Sequence, residues 1–257
     1  MPTTRDSEDI RREYEQKLGQ EFGGLFWHLW NDWANARLAY KEFDELFGEA
    51  HSARPLAAMA PLFTGDILRT LARSLILDIS RLTDPPGSGQ RRNITIHAIP
   101  THIAGHVLLL REVKGLIDVA DDKATFARTM RDKQLAHRDL LEAEYPRGVN
   151  ASEILTKADE AISAIHGVLA AVGHALLDSD MMDDIVYEPR ARALTVRIET
   201  LIELARFVDS RIQPKDTRAS SYIEAFNKLF NVPPGEGMAA ARIAAHLWRE
   251  AGRLDSV

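Results

Sequence analysis

From about Gln20 to Phe47 the apolar residues Phe22, Phe26, Leu29, Trp30, Trp33, Leu38, Phe43 and Leu46 recur mostly every three or four positions. Gly48 follows as a stop signal, so the spacing predicts one long helix. Residues 55–83 repeat the pattern with Leu62, Ile67, Leu68, Leu71, Leu75, Ile79 and Leu82. The run Thr83-Asp84-Pro85-Pro86-Gly87-Ser88-Gly89 ends it, because two prolines followed by glycines cannot continue a helix. Helical spacing resumes over about 101–119 and again over about 122–143, ahead of Pro146-Arg147-Gly148. Ser152 and Glu153 open a long helix whose inner face is Leu155, Ala158, Ile162, Ile165, Leu169, Val172 and Leu176. After Pro189, Leu194, Ile198, Leu201, Ala205 and Val208 keep the same step.

Strand signals are nearly absent. Asn93-Ile94-Thr95-Ile96 and Ile185-Val186-Tyr187 are the only short β-prone runs, and neither has an obvious partner. With no alternation of strands and helices, the pattern excludes a doubly wound nucleotide-binding fold. It predicts an all-α bundle of about six to eight helices. The organisation expected is a polar segment over 1–19, a helical domain over 20–212, and a C-terminal helical extension over 213–257. The first boundary rests on the Arg- and Glu-rich start, read as a solvated helix with little to commit it to packing. The second rests on Gln213-Pro214-Lys215-Asp216, beyond which the breaker Pro233-Pro234-Gly235 separates two further helices.

Composition narrows the chemistry. The 257 residues contain no cysteine, which excludes disulfides, thiolate metal sites and a thiol nucleophile. The polar, acidic start does not read as a signal peptide, and no apolar run approaches the roughly 18 residues of a bilayer span, so a cytoplasmic protein without membrane contact is expected. A net charge of −6 argues against wholesale binding to nucleic acid, although it says nothing of a local basic site.

The chain has no P-loop, no Gly-x-Ser-x-Gly elbow, no Glu-x-x-His and no His-Glu-x-x-His, and no cofactor is implied. His102 and His106, four apart with His97 nearby, are the one metal-like pattern. Without a carboxylate at helical spacing, decoration of a helix start after Pro100 explains them better. His166 and His174 read as core-edge histidines, and Trp27, Trp30 and Trp33, at steps of three, as core rather than a base-stacking platform.

The informative stretch lies between Arg128 and Arg138, where four basic side chains meet one acidic one on an acidic chain. His137 is its only imidazole. Guanidinium neighbours favour a neutral imidazole, which acts as a base near neutral pH while arginines hold a phosphate. These are the ingredients of metal-free phosphodiester chemistry. The plainer reading is a solvated helix face on which Asp132 and Asp139 pair with their basic neighbours.

Arg131-Asp132-Lys133-Gln134-Leu135-Ala136-His137 resembles the signature of the HEPN superfamily, an Arg and a His separated by a few residues of which the first is polar; here five intervene. Together with Arg81-Leu82-Thr83-Asp84-Pro85-Pro86, Asn93-Ile94-Thr95-Ile96 and Trp30-Asn31-Asp32-Trp33, it most closely resembles the abortive-infection branch, over roughly residues 20–205. The resemblance implies a homodimer whose two motifs meet at a cleft between subunits, acting as a metal-independent RNase in a toxin or phage-defence role. Carried onto this chain, Arg131 would bind the scissile phosphate, His137 would be the general base or acid, and Asp132 would orient one of them. Arg128, Lys133 and Arg138 would contact the RNA. The products implied are a 2′,3′-cyclic phosphate and a 5′-OH.

Two details qualify this picture. Six steps of an ideal helix leave Arg131 and His137 about 120° apart, so they do not share a face, whereas Arg131, Gln134 and Arg138 do. Some HEPN toxins carry a Tyr two residues after the motif His, modified by a partner nucleotidyltransferase; here that position is Asp139. An antitoxin or regulatory protein remains among the expected partners. The alternative is a non-catalytic module on the same scaffold, binding RNA, a nucleotide or a protein. A metal-dependent bundle enzyme built on His102 and His106 is a third reading.

Overall fold

A computed structural model of the protein describes residues 6–48, 56–57, 61–88, 91–132, 150–181, 183 and 190–209. The helices are α1 (Ser7–Leu18), α2 (Gln20–Phe47), α3 (Pro61–Leu82), the short α4 (Ile99–His102), α5 (Val107–Met130), α6 (Ala151–Val172) and α7 (Arg190–Asp209). The fold is all-α, as the periodicity predicts. The C-terminal extension over 213–257 and the β-prone run 185–187 lie outside the described residues. The only strands among the described residues are β1 (Gly87–Ser88) and β2 (Arg91–Arg92), an antiparallel ladder of two residues each. The other β-prone run, 93–96, is not a strand. Ile94 is exposed there, while Ile96 is fully buried at the start of a 3₁₀ turn that leads into α4.

The chain divides into two compact units. One comprises residues 1–44 and 68–187 and holds the site described below; the other comprises 45–67 and 188–257. In the second unit, the Arg192 backbone N–H at the start of α7 donates to Glu45 (3.2 Å), and Thr195 is buried.

In the first unit, α2 contributes Phe26, Leu29, Trp33 and Phe43 to the core, all fully buried. The Trp33 indole N–H donates to the Ile162 carbonyl on α6 (3.0 Å), satisfying the one polar atom of a large buried ring. Helix α6 carries the longest buried stripe, Ile154, Leu155, Ala158, Ala161, Ile162, Ile165, Val168, Leu169 and Val172, and packs extensively along α5. Asn150 caps it by accepting from the Glu153 N–H (3.2 Å). It ends in a wide π turn, Gly173–Leu177, closed by Asp178 in the left-handed region (φ 52°). Contrary to the expectation of no span-like segment, Ala151–Leu177 is long and apolar enough to match a bilayer span by length and composition. Its buried stripe shows what that apolarity serves, the core of a helical bundle.

Helices α1 and α2 meet more closely than the polar start suggested. Gly19 (φ 84°) breaks the two apart, and Gly23 on α2 lies so near α1 that a Cβ there would sit 2.5 Å from the Tyr14 and Glu15 backbone. The Tyr14 ring packs edge-on against Phe26, and Lys17 donates to the Leu177 carbonyl. No residue of α1 is itself buried, so its composition reads as solvated although its backbone is a packing surface.

The expected break near 119–122 is absent, and α5 runs unbroken from Val107 to Met130. Its inner face changes from Leu109, Val113 and Ile117 to Ala120, Ala124 and Ala127. Alanines carry the second half of the stripe, so the large-residue pattern fades where the helix does not.

Candidate functional site

The site is built where the end of α5 meets the turn that follows α3. Helix α3 stops as Thr83 closes its last turn, its Oγ1 donating to the Ile79 carbonyl (3.0 Å), and Pro85-Pro86 prevents continuation. The β1–β2 hairpin then brings the chain back. The Asn93 amide donates to the Pro85 carbonyl (2.8 Å) and the Asn93 backbone N–H to that of Pro86 (3.0 Å). Thr95, buried, shares its hydroxyl proton between the Leu82 and Asp84 carbonyls (3.1 and 2.6 Å). These bonds hold residues 83–86 in one conformation, with the Asp84 carboxylate facing α5.

Arg131 answers it. Its Nη1 lies 2.6 and 2.7 Å from the two Asp84 oxygens, and its Nε donates to Asp132 (2.9 Å). The Arg131 and Asp84 side chains each keep about a quarter of their surface exposed, whereas Asp132 is largely in solvent. Hydrogen bonding to Asp84, with a smaller contribution from Asp132, pushes the guanidinium pKa still higher than usual. Arg131 is therefore cationic at every working pH, and Nη2 takes no part in either pair. The pairing joins Leu82-Thr83-Asp84-Pro85-Pro86 to Arg131-Asp132, two motifs quoted separately from the sequence.

One turn earlier on α5, Arg128 faces the same turn. Its guanidinium donates to the Thr83 carbonyl (3.4 Å), the Asp121 carboxylate (3.2 Å) and the Asp121 carbonyl (2.7 Å). Expected from the sequence to contact RNA, Arg128 makes its hydrogen bonds within the protein and ties α5 to the α3 turn. Asp121 Oδ1 also bonds His97 Nε2 (3.1 Å). A carboxylate that holds Arg128 can only accept, which places the proton of His97 on Nε2.

At Arg131 the helix widens into a π-type turn that includes Asp132. Arg131 itself keeps helical dihedrals (φ −56°, ψ −52°), its N–H bonded to the Ala127 and Arg128 carbonyls, and the 120° separation expected between Arg131 and His137 falls outside the described residues. Lys133, His137 and Arg138 lie outside the described residues.

The histidine pair considered for metal does not form one. His102 ends α4 and stacks on Phe22, the ring planes 4° apart and the centroids at 5.0 Å; His106 lies beyond a turn, just before α5. The two do not share a continuous helix, so the i, i+4 geometry is lost. Among the described residues no group of three or more His, Asp or Glu side chains is placed to hold a metal ion.

Sequence reasoning missed the roles of Asp84 and Asp121. Asp84 sits 47 residues from Arg131, and no local pattern reports a pairing at that range. The signal available was that both motifs belong to one family resemblance, which is a reason to expect contact between them.

No curated protein and no solved structure matches the chain. A family model described as AbiU2 matches residues 19–196, a span that includes Asp84, Asp121, Arg128, Arg131 and the motif histidine. The chain belongs to the HEPN_AbiU2 family, an abortive-infection-type member of the HEPN superfamily.

Proposed function

We propose that the protein is a metal-independent endoribonuclease acting in abortive infection or as a toxin, with Arg131 and His137 as its reacting pair. The observation that carries the reading is the Arg131 guanidinium, held at Nη1 by Asp84 and at Nε by Asp132. An arginine oriented in this way presents a fixed edge to a phosphate, and guanidinium hydrogen bonds suit the charge that builds on phosphorane oxygens.

In the proposed reaction the ribose 2′-oxygen attacks phosphorus as His137 takes the 2′-hydroxyl proton. The bond from phosphorus to the 5′-oxygen then breaks, and that oxygen takes a proton from an imidazolium, either His137 or its counterpart across a two-fold axis. The strands left end in a 2′,3′-cyclic phosphate and a 5′-OH. Asp132 is the residue that orients Arg131, Lys133 and Arg138 are the RNA contacts, and Arg128 is a scaffold for the turn. A homodimer would complete the site, and the cytoplasm, where RNA is available, is the proposed location. A regulatory protein or antitoxin fits a toxin role.

Cleavage of a mixed-sequence labelled RNA in EDTA tests the reading, with wild type, Arg131→Ala, His137→Ala and, as the control for a metal pair, His106→Ala. Wild type and His106→Ala are expected to cut and leave cyclic phosphate ends. Loss of at least about a hundredfold is expected in His137→Ala, the scale of a general acid–base catalyst. Intact RNA with wild type would overturn the enzyme reading in favour of a non-catalytic binding module. Cutting that EDTA and His106→Ala both abolish would overturn it in favour of metal-dependent chemistry.

A further inference from the structure

Beside the Arg131 site an open groove of about 740 Å³ runs between the start of α2, the hairpin and α4. Its volume suits a nucleotide-sized ligand. Pro86 forms part of its wall, two residues along the chain from Asp84, so their Cα atoms are no more than about 7 Å apart. One wall of the groove therefore begins two residues from the carboxylate that holds Arg131.

Four features of the lining are chemically specific. The His102 ring, backed from beneath by buried Phe22, offers an aromatic platform. Glu21 and Arg92 form an ion pair (2.6 Å) at the groove with both side chains largely exposed, 69% and 76%, so an acceptor edge and a donor edge lie side by side. The Asn93 amide nitrogen is committed to Pro85, leaving its oxygen to accept. His97, with Nε2 committed to Asp121, offers Nδ1 as an acceptor, and among the described residues that atom has no partner. The lining is thus rich in acceptors, with one guanidinium beside the carboxylate.

We propose that this groove is a guanine-binding subsite that selects the base next to the cleaved bond. Of the four RNA bases, guanine alone presents two adjacent N–H donors, N1–H and the N2 amino group, beside an acceptor, O6. Glu21 takes the donors and Arg92 gives to O6 or N7, while the ring stacks on His102, the manner in which unpaired RNA bases are recognised on their edges and faces. Asn93 and His97 add acceptors for the amino group and the ribose hydroxyl. The inference deepens the RNase reading and rests on it for the position of the base relative to the cut; the preference for guanine stands on the groove itself.

Calorimetric titration of the whole chain with the four nucleoside 3′-monophosphates tests it, repeated with Glu21→Gln and His102→Ala. Guanosine monophosphate is expected to bind at least about tenfold more tightly than the other three, the discrimination of one bidentate pair. Glu21→Gln should remove that preference, and His102→Ala should weaken all four. Equal affinities, or a preference that survives Glu21→Gln, would overturn the proposal, and the exposure of Glu21 keeps the variant folded. A trinucleotide with one guanine should bind more tightly than the mononucleotide; equal binding would assign the groove to a free guanine nucleotide and overturn its role in RNA selection. Guanine preference in a protein that leaves RNA intact would sink the RNase reading and spare the groove, and cleavage without guanine preference would do the reverse.

Discussion

The contact between α2 and α6 and the contact between α5 and the α3 turn are stabilised in opposite ways. The first is apolar, with Trp33 buried against α6 and its one polar atom satisfied by the Ile162 carbonyl. It also carries one ion pair, Arg37 with Asp159, in which the arginine is mostly buried beside Tyr40. Burial, and then the charge of Asp159, push the Tyr40 phenol up to about 12. The second contact is crossed by charged hydrogen bonds, Arg131 to the Asp84 carboxylate and Arg128 to the Thr83 carbonyl, with Asp121 steadying Arg128 from within α5. Apolar burial is non-directional and gives stability. A chain of charged hydrogen bonds returns little net stability but fixes the direction of each group. The difference predicts that damage to the first contact is read in folding and damage to the second in activity.

The largest effect that would test this contrast is Trp33→Ala, expected to cost about 3–5 kcal/mol of stability by urea unfolding, as for other large buried rings. Asp84→Asn comes next. It removes the charge that holds Arg131 but keeps the shape of the turn. RNA cleavage should fall by about a hundredfold, the scale of a small misplacement of a reacting group, while the melting temperature moves by less than about 3 °C. Equal losses of stability in the two variants would erase the contrast.

The smallest effect has the opposite sign. Asp78, half-buried on α3, has its carboxyl raised above the usual value of 3.8, first by desolvation and then by Asp32. A carboxyl raised in the folded state favours folding most where it is protonated and costs stability once it ionises. Asp78→Asn should therefore raise the melting temperature by about 1–2 °C at pH 7, and the gain should vanish as pH falls below 3.8. A gain that persists in acid would mean that the charge is not its cause.

The elements most legible in the sequence are those with strong punctuation. Helix α2 ends at Phe47, one residue before Gly48, and α3 ends at Leu82, ahead of the double proline. From the sequence α5 reads as two helices because Ala120, Ala124 and Ala127 bury little side chain and give no strong periodic signal. The hairpin was missed because its ladder is two residues long. For the candidate site, the motif names Arg131 and Asp132, but the pairing with Asp84 is a tertiary event between surface-type residues, and hydrophobic periodicity is blind to it. Asp121 was hidden for the same reason: on its own helix it looks like one of several solvent-facing acids, and only the fold brings His97 to it. The packing of α1 depended on Gly23, whose signal is the absence of a side chain.

The arginine–carboxylate pairs also bear on how the proposed strand binding would respond to salt. Counted by sequence, the stretch from Arg128 to Arg138 looks strongly positive. Folded, Arg128 and Arg131 share their surroundings with Asp84, Asp121 and Asp132, so two positive charges meet three negative ones. Few condensed counterions would be displaced by the arginines themselves, and the salt sensitivity of strand binding would come from Lys133 and Arg138. Under the proposed function, a site of this kind on a chain of net charge −6 would hold a strand by fit more than by field.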